Sequence, residues 1–294
     1  WCPIRPSGLS ASGPAARWIF AAMALGFAVK IPVFPLHNWL PEAHTEAPAA
    51  GSVMLAGAML KMGVYGLLRL IAVFPEIGAQ ALPWLGVLGV VNVLYGAFCA
   101  MAQEDLKRLV AFTSVSHLGF CLIGIFSLTA EGIAGGSLQM INHGLSTGGL
   151  FLLVGMMYER THRRGVADFG SLAALTPSFA FFFAFVLLSS IGLPGLNGFV
   201  GEVMSLSGMA KAAPALAGLG ACGAVLAAAY GLPAFQRVFW APPGPGSVSL
   251  KMTDLDLRER AMLWTLSALI LWLGVYPKPL LELMDPAVTA LVQR

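Results

Sequence analysis

The stretch GFAVKIPVFPLHNWLPEAHTEAPAAGSVMLAGAMLKMGVYGLLR, residues 26–69, decides the fold. Its first lysine, Lys30, ends an apolar run just before Pro32 and Pro35, which stop a helix because proline lacks an N–H donor. Its second, Lys61, lies inside the next apolar run. In one helix of about 22 residues, Lys61 would lie about 18 Å along a rod of about 33 Å, near mid-bilayer. Because an ionisable group there normally faces a partner or a wet cavity, the two lysines predict an ion path.

The composition indicates a membrane protein without a large soluble domain. Of the 294 residues, 57% are apolar and 11% are charged, and the mean hydropathy is +0.79. These values lie outside the soluble range. The formal net charge of +3 is small and scattered, which argues against nucleic-acid binding. The four cysteines form no C-x-x-C pair and support neither iron–sulfur nor zinc ligation.

Apolar segments long enough to cross a bilayer define the domain organisation. Residues 1–16 are rich in Pro, Gly and Ser, and they predict a loop or the cut edge of a longer chain. Residues 17–294 are expected to form one all-α membrane bundle. We expect eight transmembrane helices, near 18–39, 49–71, 81–102, 107–127, 133–158, 175–208, 213–236 and 261–278.

The distribution of positive charge predicts the orientation. Of the seventeen Lys and Arg residues, all but Lys30 and Lys61 fall in or near the loops. Nine belong to the face with the loops after spans 1, 3, 5 and 7, and six belong to the opposite face. The positive-inside rule therefore predicts that the first face is cytoplasmic and that both termini are not.

The sixth span predicts a broken helix. After FAFFFAFVLLSS comes IGLPGLNGFVGE, where Pro194 lies among glycines at every third position. We expect an interruption between about 191 and 201, with Glu202 at its end, because Gly and Pro disfavour a continuous helix. Broken backbone at membrane depth is buried in protein or lines a cavity. Two broken helices five spans apart are typical of internally repeated transporters.

The two lysines have different alternatives. Lys30, near a helix end, could snorkel to the interface. Lys61 has a turn or more of apolar residues on both sides, which makes snorkelling difficult. A buried lysine can change its protonation state as its partner moves, so we interpret both as candidates for proton handling, Lys61 above all.

His117 and His143 are expected inside the fourth and fifth spans. Either alone would be explained as a hydrogen-bonded packing residue. Between a lysine and Glu202, the two predict a relay, because imidazole both accepts and donates protons near neutral pH. For Glu202 the alternative is a position at the interface. The relay predicts a shared interior seam, with water or hydroxyls such as Ser114 and Thr147 bridging the longer gaps.

Three further patterns favour structural roles. His37 and His44 flank a Trp and Pro loop without an H-E-x-x-H motif, which predicts a packed loop instead of a metal site. The G-x-G-x-x-G match at Gly218, Gly220 and Gly223 lies inside an apolar span and predicts helix packing instead of dinucleotide binding. The charges of residues 105–108 and 160–164 indicate solvated loops, or docking to neighbouring subunits.

Four strings resemble the antiporter-like proton-channel subunits of respiratory complex I. They are VKIPVFPLHNWLPEAHTEAPAAGSVMLAGAMLKMGVYGLLR, DLKRLVAFTSVSHLGF, LQMINHGLSTGGLFLLVGMMYER and SSIGLPGLNGFVGE. The resemblance covers roughly residues 18–280. It implies the last two helices of a first repeat, a complete second inverted repeat and a final helix. A glutamate at the broken helix, here Glu202, is implied for one branch of the family, where sister branches carry lysine.

The resemblance also implies roles. Lys30 would pair with a glutamate on an earlier helix, Lys61 would be the central lysine, and His117 and His143 would bridge to Glu202. Proton translocation would be driven by NADH oxidation and quinone reduction on other subunits. FMN, iron–sulfur clusters and quinone would be bound there and not in this chain. Sister antiporter-like subunits would be its partners, in a bacterial plasma membrane.

Three alternatives remain open at this point. The chain could belong to a multisubunit cation/proton antiporter or to the membrane arm of a membrane-bound hydrogenase. It could also be a solute carrier working alone, which would need a substrate pocket at the midplane. The row of ionisable groups argues against the carrier. Neighbouring genes would separate the antiporter, the hydrogenase and respiratory complex I from one another.

Overall fold

The computed structural model describes residues 13–244, 246–249 and 252–293, apart from the side chain of Leu82. The regular elements of these residues are helices, and no strand occurs among them. The main helices, in chain order, are α1 Pro14–Lys30, α2 Trp39–Glu46, α3 Ala49–Val73, α4 Pro75–Met101, α5 Leu106–Ile125, α6 Ala130–Thr161, α7 Pro177–Ser190, α8 Asn197–Ala212, α9 Pro214–Phe239, α10 Leu257–Val275 and α11 Lys278–Val292.

The prediction of an all-α membrane bundle is confirmed. Among the described residues, five helices are long and apolar enough to cross a membrane, or six if the bent pair α10–α11 counts as one span. Helix α5 is the centre of the bundle, since 94% of its apolar window is buried. Close contact between α4 and α5 depends on glycine, because a Cβ on Gly96 or Gly119 would meet the backbone of the facing helix.

Several boundaries differ from the predicted ones. Helix α1 begins at Pro14, so residues 14–16 are helical and not part of a loop, whereas residues 1–12 lie outside the described part. Helix α4 begins at Pro75, because proline is well placed in the first turn of a helix. The last predicted span ends early, at Val275, and is followed by the unpredicted helix α11 at a bend of 65°.

The two predicted breaks are present. Helix α1 ends at Lys30, and turns follow before α2 begins at Trp39, where Phe34 N donates to Asn92 Oδ1 at 2.8 Å. The second break lies between Ser190 of α7 and Asn197 of α8.

Two glycines of the second break have left-handed backbone conformations that side chains disfavour, Gly192 with φ +77° and Gly195 with φ +93°. The break is shorter than predicted, because the helix resumes at Asn197. Glu202 therefore lies in the second turn of α8 and not at the end of the break.

Four connections meet on one face, as the predicted alternation of spans requires. We call them together the loop face: residues 31–48, 102–105, 162–176 and the described part of 240–256, which is 240–244, 246–249 and 252–256. Leu106 N donates to Arg164 O at 2.9 Å, and Arg164 Nη1 donates to Thr45 O at 3.1 Å. Ser171 N donates to Ala241 O at 2.8 Å. Which side of the membrane the loop face occupies stays a prediction.

Candidate functional site

Lys61, His143, His117 and Glu202 form a row through the middle of the bundle, which we call the central row. They come from four helices, α3, α6, α5 and α8. His143 and His117 are each 1% exposed, and Glu202 is 4% exposed. The structure thus brings together four of the five site residues that the sequence singled out.

Lys61 begins the central row beside an irregular turn of α3. Residues Leu55–Met59 form a π-helical turn, where Leu60 N bonds Leu55 O five residues back. The Lys61 ammonium donates to Ala56 O of this turn and lies 2.6 Å from His143 Nδ1. Single π-turns are frequent at functional sites. The lysine therefore faces the protein interior, with a base in hydrogen-bond contact.

His143 belongs to a polar stripe on α6. Gln139 lies four residues before it and Ser146 three residues after it, on the same face of the helix, and Asn142 directly precedes it. The His143 ring lies 5.8 Å from the His117 ring, centroid to centroid, with the planes at 51°. No hydrogen bond joins the two rings directly, and His143 Nε2 has no partner in the described part of the chain, so proton transfer between the rings requires a bridging water.

His117 has partners on both ring nitrogens. Its Nδ1 lies 3.2 Å from Glu202 Oε1, while its Nε2 lies 3.2 Å from Ser190 Oγ and 3.3 Å from Tyr230 OH. If a hydroxyl donates to Nε2, then Nδ1 carries the proton and donates to the carboxylate. If both nitrogens are protonated, the two side chains form a buried ion pair. The contacts accommodate both protonation states of the ring.

The broken helix fits closely around Glu202. Gln139 Nε2 donates to Glu202 Oε1 at 3.3 Å, and a Cβ on Gly192 would come within 2.8 Å of Oε2. Asn197 closes the break, since its carbonyl accepts from Asn142 Nδ2 at 2.7 Å and its side chain accepts from Ser189 Oγ at 2.5 Å. The break thus leaves space for the Glu202 carboxylate. The polar groups of Asn197, where the helix resumes, are hydrogen-bonded to neighbouring helices.

Lys30 lies apart from the central row. It is the last residue of α1 and is half-buried, and its ammonium makes no hydrogen bond or ion pair within the described ranges. Its predicted pairing with a glutamate on an earlier helix stays a prediction.

The two loop histidines pack against different rings. His37 lies among Phe34, Tyr95 and Phe112, with centroid distances from 4.9 to 6.4 Å. His44 stacks on Phe151 at 4.2 Å. Of the part of the chain that the structure describes, no group of three His, Cys, Asp or Glu side chains is arranged to hold a metal ion.

Sequence reasoning missed the hydroxyls and amides that hold the central row. Ser190 is the last residue before the break, and Tyr230 is the one hydroxylated aromatic residue of α9. A signal for Gln139 was present, because it precedes His143 by four residues and so shares its helix face. Tyr230 had no comparable signal, since its position on another helix is decided by packing.

The arrangement can conduct protons. Each member can hold a proton and reach its neighbour directly or through one water. The low-dielectric surroundings strengthen the coupling between adjacent charges. Adding a proton at one end therefore changes the affinity for protons at the next member.

The sequence matches a known family over residues 8–227, the family described as "NADH:quinone oxidoreductase/Mrp antiporter, TM". It is 41% identical over 277 residues to NADH-quinone oxidoreductase subunit M of Rhodobacter capsulatus, covering 94% of this chain and 54% of the relative. The chain spans about half the length of the curated relatives it matches.

Two solved structures share the fold. A chain of respiratory complex I from Thermus thermophilus with bound NADH superposes with a TM-score of 0.88 at 39% identity, over 96% of this chain and 60% of that chain. A chain of the Mrp complex from Dietzia sp. DQ12-45-1b gives a TM-score of 0.87 at 22% identity, over 96% of this chain and 62% of that chain. The second likeness concerns the fold alone.

Proposed function

This chain belongs to the NADH:quinone oxidoreductase/Mrp antiporter transmembrane family, and from that premise we propose that it carries protons across the membrane as subunit M of an NADH:quinone oxidoreductase. The identity to subunit M of Rhodobacter capsulatus supports the assignment to this branch. The glutamate in the broken helix, Glu202, agrees with the branch that the sequence resemblance implied. The chain is an integral membrane subunit of an enzyme whose redox chemistry takes place elsewhere.

The observation that carries the proposal is the central row. Apolar side chains would fill this volume at a lower cost in free energy, because each buried ionisable group needs a compensating charge or hydrogen bond. Instead, Lys61 contacts His143, and His117 contacts Glu202, with one gap of water-bridging size between the rings. Such a row is useful to a protein that moves protons.

The mechanism follows from the order of the groups. The Lys61 ammonium releases a proton to His143 Nδ1 and becomes neutral. Through a bridging water, the proton reaches His117, and from there Glu202. Glu202 is the exit group, because α8 runs from the break toward the face opposite the loop face, where Lys211 pairs with Glu131. Binding a new proton at Lys61 resets the row.

The driving force comes from partner subunits. NADH, FMN, iron–sulfur clusters and quinone are bound by those partners and none by this chain. The partners in the membrane include sister antiporter-like subunits. The assembly lies in a bacterial plasma membrane with the loop face on the cytoplasmic side, because the sequence pattern assigns nine of the fifteen loop Lys and Arg residues to the loops of that side.

A cation/proton antiporter subunit is the second candidate. The shared fold with a chain of an Mrp complex favours it, and so does the family description, which covers both kinds of protein. The central row alone serves either function, since proton transfer between the same groups is required in both. The two differ in what drives the proton.

Inverted membrane vesicles that contain the whole assembly test the proposal. We expect NADH addition to acidify the vesicle interior, and Lys61→Ala to reduce the initial rate at least about tenfold. Lys61→Arg should fail in part, because arginine stays charged and releases no proton. Lys278→Ala is the matched control, since Lys278 is exposed and its ion pair is with Glu282 of its own helix. Full proton uptake by Lys61→Ala would contradict the proposal. A sodium gradient that drives proton flux without NADH would favour the antiporter.

A further inference from the structure

The side chain of Asn92, on α4, is bonded to the backbone of the first break. It is 0% exposed. Phe34 N donates to Asn92 Oδ1 at 2.8 Å, and Asn92 Nδ2 donates to Pro32 O at 3.3 Å. A carboxamide both donates and accepts hydrogen bonds. One side chain therefore supplies a partner for an N–H group and for a carbonyl group of the same turn.

The contact lies at membrane depth, where backbone groups need partners. Asn92 lies nine residues into the apolar span Pro83–Met101, about 14 Å along a rod of about 28 Å. Val33 N bonds within its own segment, to Ala28 O at 2.9 Å, whereas its two chain neighbours bond Asn92. Because an unpaired backbone group inside a membrane is costly in free energy, these two bonds stabilise the interruption.

Aromatic packing joins the same two segments. Tyr95 lies three residues after Asn92 and shares its face of α4. Its ring centroid lies 5.0 Å from that of Phe34 and 4.9 Å from that of His37. The break is thus held against α4 by one amide and one aromatic ring.

The second break is bonded in a similar way. Asn142 of α6 is also 0% exposed, and its Nδ2 donates to Asn197 O at 2.7 Å, where the helix resumes. That break leaves space for Glu202, as described above. In both cases, a buried asparagine of a continuous helix bonds the backbone of an interruption, and an ionisable residue lies close by in the chain. At the first break that residue is Lys30.

Helix α4 is also bonded to the helix that carries His117, at the residue after Asn92. Ser116 Oγ donates to Val93 O at 2.9 Å, and Ser116 directly precedes His117. A Cβ on Gly119 would meet Val93 N at 2.8 Å, so the two backbones are in close contact at this level. Because packed interiors leave little free volume, α4 and α5 cannot shift independently here. Asn92 and Val93 therefore connect the first break to the central row.

We propose that Asn92 is a positioning residue that fixes the end of α1, and with it Lys30, relative to the central row. The inference rests on the proposed function and adds to it the residue that places Lys30. Lys30 is the last residue of α1 and lies two residues before Pro32. Without the amide, Pro32 O and Phe34 N would need other partners, and the end of α1 would move to reach them. The movement would change the water and charges around Lys30, and hence the pH at which it exchanges protons.

Hydrogen–deuterium exchange of the whole assembly tests whether Asn92 holds the break. Asn92→Leu keeps the approximate size and removes both polar groups, whereas Asn92→Gln keeps them on a longer stem. The matched control is Thr113→Val, which removes a buried hydroxyl whose bond, to Val110 O, stays within α5. We expect amides of residues 31–38 to exchange at least about tenfold faster in Asn92→Leu, at an intermediate rate in Asn92→Gln, and unchanged in the control.

Unchanged exchange in the Asn92 variants would overturn the proposal. If Asn92→Leu does not assemble, Asn92→Gln decides alone, because the added methylene displaces the amide from both of its partners.

The pH profile of NADH-driven proton uptake separates a positioning residue from a purely structural one. We expect the Asn92 variants to shift the pH of half-maximal uptake by at least about half a unit, because the surroundings of Lys30 change. Thr113→Val should scale the rate by one factor at every pH. Faster exchange with an unshifted pH profile in the Asn92 variants would overturn the positioning role. Since exchange is measured without NADH, a failure of the unaltered assembly to pump protons would contradict the proposed function and leave the exchange result intact.

Discussion

His117 Nδ1 lies 3.2 Å from Glu202 Oε1, although the two residues are 85 positions apart and both are buried. The contact joins the core helix α5 to the resumed half of the broken helix. It links the ionisable side chains of the central row to the helix that follows the break.

Removing the Glu202 charge is expected to interrupt the central row at this contact. Glu202→Gln keeps the shape and still accepts from Gln139, but it cannot take up a proton or stabilise protonated His117. We expect NADH-driven proton uptake by vesicles to fall at least about tenfold. Glu131→Gln removes a carboxylate from the exposed pair with Lys211 and should leave uptake nearly unchanged. Equal uptake by the two variants would remove Glu202 from the path.

The hydroxyls of Ser190 and Tyr230, which both contact His117 Nε2, are expected to substitute for each other as its hydrogen-bond partner. Ser190→Ala and Tyr230→Phe each remove one contact of 3.2 or 3.3 Å and leave the other. We therefore expect each single variant to reduce proton uptake only a few-fold, and the double variant to reduce it by more than the product of the two. Initial rates of the four chains, measured under identical NADH supply, give the coupling. Strictly multiplicative effects would show that the hydroxyls act independently.

We expect alanine to be unfavourable at Gly192 for two reasons, backbone strain and contact with Glu202. At Gly195 we expect backbone strain alone. Both have positive φ, so Gly192→Ala and Gly195→Ala each introduce backbone strain of about 1–3 kcal/mol. A Cβ at 192 also meets Glu202 Oε2 at 2.8 Å, whereas a Cβ at 195 meets nothing within 4 Å. We expect similar losses of thermal stability in detergent, and a loss of proton uptake for Gly192→Ala alone. Comparable proton uptake by both variants would show that the space left at Gly192 for Glu202 is not needed for proton transfer.

His44 is expected to make stability depend on pH. Its folded-state pKa is lowered from 6.5 to about 4, first by burial and then by the charges of Lys107 and Lys61. The unfolded chain binds the proton at the higher pH, so stability is complete above pH 6.5 and declines as the pH falls toward 4. The full difference is about 3 kcal/mol. His44→Phe should flatten this part of the curve, measured as the melting temperature between pH 7.5 and 4.5. If the melting temperatures of the wild-type and His44→Phe chains changed in parallel with pH, the lowered pKa of His44 would be contradicted.

The sequence was a reliable guide wherever one helix decides the outcome. Lys61, His117 and His143 lie deep in apolar runs, and a helix of known rise places such residues at mid-membrane. The break after Ser190 followed from glycine and proline chemistry, although its end was placed four residues or more too late. Asn197 explains the difference, because its contacts with α6 and α7 allow the helix to resume before the last glycines of the motif.

Features that depend on two helices could not be predicted from the sequence. Tyr230 reaches His117 only because α9 packs beside the broken helix, and nothing near it in sequence signals that contact. Helix α11 was missed for a different reason. Its sequence, KPLLELMDPAVTALV, contains an internal proline and two acidic residues, so its apolar run is too short to count as a span. Length-based reasoning detects spans and not the helices that fold back against them.

The π-helical turn at Leu55–Met59 means that α3 contains one residue more than an ordinary α-helix would use between the same two ends. Ala49 packs against Gly155 before the turn, and Gly63 packs against Ile31 after it, so the helix has fixed neighbours on both sides of the turn. Deleting Ala58 would let the turn relax to regular spacing while both ends kept their orientation. Deleting Val64 would rotate everything beyond it by about 100°. We therefore expect α3 to tolerate the loss of a residue only within the π-helical turn, where Lys61 donates to Ala56 O.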